Sequence, residues 1–187
     1  MRSFLIAIAL ATVCSCARPP HIDLRHPIYM VTDQSFWSGC NKYPAGYKAC
    51  RAFRIKQVND GINQWFDYFD RATRPRVTIV SSEKELPFGA VNEAIRLRIE
   101  AGFCDKGKAA CYVYGPFSLP EIVFVDPSGI TPILVAHEFG HALGLDHVSI
   151  TGSVMFFQPY VPVTLSDIKT MCKLHRECQM LKVKRRK

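Results

Sequence analysis

The chain has 187 residues, 48% of them hydrophobic, with 11 glycines, 12 prolines and a formal net charge of +8. This composition excludes a collagen-like, low-complexity or disordered polymer and fits one globular domain built on a single core. The positive charge favours attraction to anionic surfaces.

The first 17 residues predict a secretory signal peptide. Arg2 precedes an apolar run over residues 5 to 13, and small residues follow at Ser15 and Ala17. The run is well short of the roughly 20 residues that span a bilayer. We therefore expect a secreted or extracytoplasmic protein whose mature chain begins near Arg18. The alternative is a lipoprotein signal that leaves Cys16 lipidated and anchored to a membrane.

The next predicted elements are a strand over residues 27 to 32, a helix over residues 50 to 69 and a strand over residues 76 to 81. The helix carries apolar residues at three-to-four spacing, and the strands are rich in β-branched residues. Because they follow one another as strand, helix and strand, we expect a right-handed parallel crossover.

The later elements lead to a long apolar helix. Residues 90 to 101 carry apolar residues at helical spacing, residues 110 to 114 and 121 to 125 are typical of short strands, and residues 126 to 129 form a turn. A helix is predicted over residues 130 to 143. No internal repeat or second-domain linker interrupts the chain.

Six cysteines remain beyond the predicted signal peptide, and an even number in an exported chain indicates disulfides. They fall into three couples that are close in sequence. We predict the pairs Cys40–Cys50, Cys104–Cys111 and Cys172–Cys178, each closing a short loop. The alternative is free or metal-binding cysteines, which the lack of Cys-x-x-Cys spacing disfavours.

Residues 137 to 141 read His-Glu-Phe-Gly-His inside the predicted apolar helix. His137 and His141 are four residues apart on one helix face, so both imidazoles can reach one metal ion. Glu138 is rotated away from that ligand position and can lie beside the open site of the metal as a general base. The alternative for the bare pattern is a pair of buried, hydrogen-bonded histidines.

The pattern continues with Gly144 and His147 at spacings of three residues. These two matches lower the rate of chance occurrence by a further factor of about a thousand. Gly144 tolerates the left-handed backbone that ends a helix, and the turn brings His147 round as a third ligand. Three neutral imidazoles leave the fourth tetrahedral position for water, which is typical of a catalytic zinc.

The string HEFGHALGLDH over residues 137 to 147 resembles the metzincin zinc signature HExxHxxGxxH. Downstream, Ser153-Val154-Met155 resembles the Met-turn of that clan. The resemblance implies that Met155 packs beneath the zinc without binding it; an ordinary core methionine is the alternative. Phe157 stands where astacins and serralysins place a ligand tyrosine.

Within the metzincins, the likeness is closest to the matrixin (matrix metalloproteinase) family. It rests on the run EFGHALGL, the pair Pro159-Tyr160 and a final helix that opens at Leu165. It implies an α+β, metzincin-like catalytic domain over residues 18 to 180, with a twisted mixed β-sheet, a long backing helix, an active-site helix and a C-terminal helix. It also implies that Pro159 and Tyr160 line the primed-side substrate pocket, unless they only pack.

Several features depart from the matrixin pattern. Val148 follows the third histidine where matrixins usually have serine, and no cysteine-switch propeptide fits between Ala17 and the first strand. No histidine lies between His26 and His137, so we predict one catalytic Zn²⁺ and no structural zinc. Acidic calcium-binding loops are sparse, and calcium stays an open question.

These features predict a secreted zinc endopeptidase that hydrolyses internal bonds of a polypeptide substrate and acts as a monomer. The main alternative is a non-catalytic, zinc-containing binding protein on the same fold. A thermolysin-like protease is disfavoured because Glu177 is the only glutamate after Glu138.

Residues 181 to 187 form a basic C-terminal tail that contains five of the cations. Such a tail can attract anionic surfaces weakly, and a basic module that binds them is a third alternative. The simpler interpretation is a solvated terminus, and we expect no specific contact with nucleic acid.

Overall fold

A computed structural model describes residues 22–115 and 118–180 of the chain. The predicted signal peptide, with Cys16, and the basic tail lie outside the described residues. Within the described part, no helix combines the length and apolarity needed to cross a membrane.

A five-stranded mixed sheet forms one layer of the domain. Its strands are β1 (Ile28–Thr32), β2 (Val77–Val80), β3 (Ala94–Ile99), β4 (Ala110–Val113) and β5 (Glu121–Phe124). The strand order is β2-β1-β3-β5-β4, and only the pairing of β4 with β5 is antiparallel. The register places Met30 opposite Ile79 and Ile95. Strand β4 is therefore an edge of the sheet.

In the described residues, three α-helices accompany the sheet: α1 (Tyr47–Phe66), α2 (Pro132–Ala142) and α3 (Leu165–Leu174). Helix α1 begins and ends three residues earlier than its apolar spacing predicts. Because β1 and β2 are parallel and α1 joins them, the predicted strand, helix and parallel strand are confirmed. The α+β class with a mixed sheet and a long backing helix is confirmed as well.

The helix predicted over residues 90 to 101 is wrong. A short 3-10 turn covers Ala90–Glu93, and strand β3 follows it directly. The apolar residues here fit a spacing of four, but Ile95 and Leu97 also fit a spacing of two, and both are fully buried. Pairing with β1 on one side and β5 on the other decides between these two patterns, because strand formation depends on tertiary context.

The polar residues of β3 also indicate a strand rather than a helix. Arg96 and Arg98 alternate with the buried residues of the strand, and both guanidinium groups bind the carboxylate of Glu121 on β5. The Nε atom of Arg98 lies 2.7 Å from Oε2 of Glu121. This cross-strand bridge forms only when residues 96 and 98 share one face of a sheet.

The core lies between the sheet and helices α1 and α2. The Nε1 atom of Trp65 on α1 donates a hydrogen bond of 2.8 Å to the carbonyl of Ala136 on α2. The ring of Phe66 meets the ring of Phe139 edge to face at 6.0 Å. These contacts fix α2, the helix with the His-Glu-Phe-Gly-His sequence, against the long helix.

The structure contains three disulfides, and they join the cysteines that are neighbours in sequence. Cys40–Cys50 fastens the loop before α1 to the first turn of that helix. The buried guanidinium of Arg54 donates to two carbonyls of the same loop, those of Phe36 and Ser38. Loop and helix are thus held by both covalent and polar contacts.

The close crossing of α1 and α2 predicts a cost for any side chain at Gly61. A Cβ atom there would lie 2.6 Å from Cβ of Val135 and 2.7 Å from the carbonyl oxygen of Pro132. Alanine normally stabilises a helix interior relative to glycine by up to about 1 kcal/mol. We expect Gly61→Ala instead to lower the free energy of unfolding by about 1–3 kcal/mol, because the crossing is overpacked.

Urea unfolding of the oxidised protein measures this change. Gly152→Ala is the matched control, since a Cβ at Gly152 meets nothing within 4 Å. A Gly61→Ala protein as stable as the control would contradict the close crossing.

Candidate active site

Helix α2 presents the two histidines of the His-Glu-x-x-His pattern on one face. Thr131 caps its first turn by accepting a hydrogen bond of 3.2 Å from the amide of Leu134, and Pro132 occupies the first helical position. The rings of His137 and His141 lie edge to face with centroids 4.9 Å apart. The helix therefore delivers both imidazoles to one side of the molecule.

The end of α2 reverses the chain at Gly144, where φ is +81°. The amide of Gly144 donates to the carbonyl of His141 at 2.9 Å, and the amide of Leu145 donates to the carbonyl of Gly140 at 3.0 Å. These two bonds make a Schellman motif, which needs a residue tolerant of positive φ. The reversal carries His147 back toward the two helical histidines.

The Nε2 atoms of the three histidines converge. His147 Nε2 lies 3.1 Å from Nε2 of His137 and 3.2 Å from Nε2 of His141. Tetrahedral zinc with Zn–N bonds near 2.0–2.1 Å separates its nitrogen ligands by about 3.3 Å. Within the described part of the chain, this is the one group of three or more His, Cys, Asp or Glu side chains whose ligand atoms converge.

Backbone carbonyls orient the two helical rings. The Nδ1 atom of His137 lies 2.7 Å from the carbonyl oxygen of Val154, and Nδ1 of His141 lies 2.8 Å from that of Leu145. A carbonyl only accepts, so each Nδ1 carries the proton and each Nε2 of a neutral ring keeps its lone pair. Such a bond on the far nitrogen is typical of histidines that bind a metal.

The electrostatics keep these rings neutral. Burial lowers the pKa of His137, and burial together with the neighbouring His137 lowers the pKa of His141 to about 4. Burial also lowers the pKa of His147. Lone pairs about 3 Å apart repel one another unless a cation lies between them. The geometry and the donor set therefore fit a bound Zn²⁺.

Glu138 lies beside this group and lines the same cleft. Its side chain is almost completely buried, with 4% of its surface exposed. Burial raises the pKa of Glu138 to about 7, although a hydrogen bond from the backbone amide of Tyr112 and the positive charge of Lys108 act in the opposite direction. A carboxyl group with a pKa near neutrality can accept and return a proton at physiological pH.

The segment around Met155 packs against helix α2. Met155 is buried, and its Sδ atom fills the space next to Gly140 on α2. A Cβ atom at Gly140 would collide with this sulfur and would lie 2.9 Å from the ring of Trp65. Sequence reasoning missed Gly140, because nothing in the local pattern shows that a methionine from another segment needs its missing side chain.

Asp167 is a second residue whose role sequence reasoning missed. Its buried carboxylate accepts from the hydroxyl of Ser153, from the amide of Val154 at 3.4 Å and from the amide of Thr164 at 2.8 Å. It therefore joins the start of α3 to the carbonyl-bearing segment that orients His137. The Thr164-x-x-Asp167 spacing, a capping box, was the available signal for the helix start.

His175 is a third such residue. It is fully buried, and its Nε2 atom lies 2.8 Å from the carbonyl oxygen of Leu143, at the end of α2. The disulfide Cys172–Cys178 brackets it in sequence. No sequence pattern distinguishes it from any other histidine near the end of a helix.

The site opens into a cleft of about 1140 Å³. Strand β4 and the loop before it line one wall, and the segment after Met155, with Phe157 and Pro159, lines another. Tyr160 is not among the lining residues. Its ring packs edge to face against Phe156 at 6.2 Å, and 59% of its surface is exposed. Of the predicted pocket pair, the structure thus brings only Pro159 to the cleft.

Comparison with known proteins agrees with this site. The family model described as Matrixin matches residues 63–175, more than half of the chain. The matched span runs from the end of α1 to the buried His175. A search of curated proteins finds no match.

The packing of Met155 predicts the effect of Gly140→Ala. The added methyl group displaces the methionine and with it the segment that orients His137, so we expect weaker zinc binding and a loss of about 1–3 kcal/mol in the free energy of unfolding. Competition with a chelator and urea unfolding measure the two effects. Adding Met155→Ala makes room for the methyl group, and the cost of the pair should be less than the sum of the single costs. Strict additivity would exclude a direct contact.

The burial of Glu138 predicts a pH-dependent stability in the metal-free protein. Its folded pKa of about 7 exceeds the ordinary 4.5, so the unfolded chain releases this proton first as pH rises. Stability is therefore lost between pH 4.5 and 7, by up to about 3 kcal/mol. We expect Glu138→Gln to be more stable than wild type at pH 8 and nearly equal to it at pH 5.

Urea unfolding with a chelator present, at both pH values, tests this difference. The exposed Glu85, with Glu85→Gln as the matched change, should show no such dependence on pH. An equal effect of Glu138→Gln at pH 5 and pH 8 would rule out the raised pKa.

Proposed function

Because this chain belongs to the matrixin family, we propose that it is a secreted zinc-dependent endopeptidase that cuts internal peptide bonds of proteins. One observation carries the proposal: three neutral imidazoles converge through their Nε2 atoms beside a buried carboxyl group, and all four side chains line one open cleft. A structural metal site is closed by its ligands, whereas three histidine ligands leave a fourth position open.

His137, His141 and His147 would hold the metal. Zinc bound there would polarise the scissile carbonyl and lower the pKa of a water molecule toward about 7. The carbonyls of Val154 and Leu145 keep the ligand nitrogens deprotonated and aimed at one point. The protein's contribution is therefore a neutral ligand set whose nitrogens converge without the metal.

Glu138 would move the proton in this reaction. Its carboxylate takes a proton from the attacking water and returns it to the nitrogen of the leaving chain. Burial raises the pKa of this carboxyl group in the metal-free chain, and the charge of a bound zinc would act in the opposite direction. The amide of Tyr112 interacts with this carboxylate and favours its charged form.

The edge strand β4 would bind the substrate backbone. The carbonyl of Ala109 accepts a hydrogen bond of 2.9 Å from the amide of Val125, so the main-chain groups of Ala109 point toward β5. Main-chain groups alternate along an antiparallel strand, so the main-chain groups of Ala110 and the carbonyl of Tyr112 point away from β5, toward the cleft. An extended polypeptide can add to such an edge by main-chain hydrogen bonds. Phe157 and Pro159 would then contact one of its side chains.

Export is part of the proposal. The chain has three disulfides. Disulfide bonds form in oxidising compartments and are rare in cytosolic proteins. The predicted signal peptide over residues 1 to 17 would supply the route.

Paired measurements of zinc content and peptidase activity test the function. We expect about one zinc per chain in wild type and in Glu138→Ala, with cleavage of a quenched peptide library by wild type only and a loss of at least about 1000-fold in the variant. His141→Ala should lose both zinc and activity. Glu85→Gln, a matched change outside the cleft, should keep both.

Two outcomes would contradict the proposal. Activity retained by Glu138→Ala would remove the proton-transfer role. Zinc bound by wild type without cleavage of any peptide would favour a non-catalytic binding protein on the same fold.

A further inference from the structure

The wall of the cleft next to β4 is positively charged. Residues 105 to 109 form a loop before β4, and the disulfide Cys104–Cys111 closes it. Lys106 and Lys108 from this loop line the cleft. Both lysines are exposed. No part of the proposed hydrolysis uses either of them.

Lys108 lies within electrostatic reach of the reacting centre. Its ammonium lowers the pKa of Glu138, against the larger opposing effect of burial, and after burial it is the next cause of the lowered pKa of His147. The same ammonium lies 2.9 Å from the carboxylate of Asp105. Both partners of that pair are largely exposed, so the interaction is weak and Lys108 can exchange it for another anion.

The acidic residues of the cleft do not cancel this charge. Besides the proposed proton carrier Glu138, the lining includes Asp146 and Asp167. Asp167 is buried and accepts four hydrogen bonds or more from its own neighbours. Asp146 lies directly before His147, on the segment that returns from α2, and is not part of β4 or of the loop before it. The loop before β4 therefore keeps a net positive charge beside the cleft, because its two lysines outnumber Asp105.

We propose that Lys108, with Lys106 beside it, makes this enzyme select polypeptides that carry an acidic side chain close to the scissile bond, on its C-terminal side. The inference rests on the proposed peptidase function and names the class of its substrate. The disulfide restrains the backbone of the loop that carries both lysines, so little backbone entropy is lost when they bind an anion.

The direction of the substrate along β4 determines on which side of the scissile bond the acidic side chain lies. Antiparallel pairing is the more stable way to extend a sheet edge. In that arrangement, the C-terminal part of the substrate lies along the N-terminal part of β4 and the loop before it. Tyr112 meets Glu138 at the reacting centre, and Lys108 is four residues earlier in the chain. Acidic residues two to four positions after the cut are therefore the ones that Lys108 meets.

Quenched peptides that differ at one position test the selection. The series places Asp, Asn or Lys two, three or four residues after the bond that is cut, with a parallel series before it. We expect the ratio of kcat/KM for Asp over Asn to be about 3- to 5-fold after the bond, as for an exposed ion pair, and near one before it. About 0.5 M NaCl should bring the larger ratio toward one.

Charge reversal assigns this preference to its residue. Lys108→Glu should invert the ratio, so that Lys peptides are cut better than Asp peptides. Ratios are compared because the change also acts on Glu138 and alters every rate. Lys84→Glu is the matched control, since Lys84 is exposed and does not line the cleft.

Peptide binding gives a second measurement that does not depend on turnover. Fluorescence anisotropy of labelled Asp and Asn peptides on zinc-loaded Glu138→Gln should show the same preference, and Lys108→Glu in that background should reverse it. If wild type cuts no peptide while the preference in binding is present, the peptidase function fails and the selection stands. Equal affinity for Asp and Asn peptides, or the same ratio in Lys108→Glu and Lys84→Glu, would overturn the selection.

Discussion

The structure depends on one constraint: three imidazole nitrogens must meet at a point although two come from a helix and one from the chain beyond it. Mutual repulsion of the lone pairs opposes this arrangement, so contacts elsewhere must hold it. Hydrogen bonds from His137 to Val154 and from His141 to Leu145 fix the ring orientations. The turn at Gly144 and the carboxylate of Asp167 fix the chains that carry those carbonyls. The site is thus built mostly by the backbone.

Elements with one dominant local pattern could be predicted from the sequence. Helix α1 has a single apolar stripe, and α2 carries both a stripe and a recognisable spacing of histidines. The prediction for β3 was wrong because its apolar residues fit both a helical and a strand spacing. Pairing with β1 and β5, which are distant in sequence, selects the strand. The ends of α1 were also shifted, since short apolar patterns do not define where a helix starts.

The same distinction applies to the site. The histidines and Glu138 could be predicted because a helix converts spacing into direction, and Gly144 because a turn needs its backbone freedom. Gly140 and His175 could not, because each acts through a contact with a distant segment that leaves no mark in the local sequence. The place of Tyr160 in the pocket stays a prediction: the resemblance assigns it there, and its ring packs against Phe156.

The short spacing of the disulfides has a consequence for oxidative folding. The paired cysteines are separated by 10, 7 and 6 residues. Loops of this size close in about 10–100 ns in an unfolded chain, whereas longer loops carry a larger entropic cost. The native partner is therefore the thiol that each cysteine meets most often, before the mixed sheet has assembled. Correct pairing is favoured by chain statistics alone, and the slow sheet can then form around loops that are already closed.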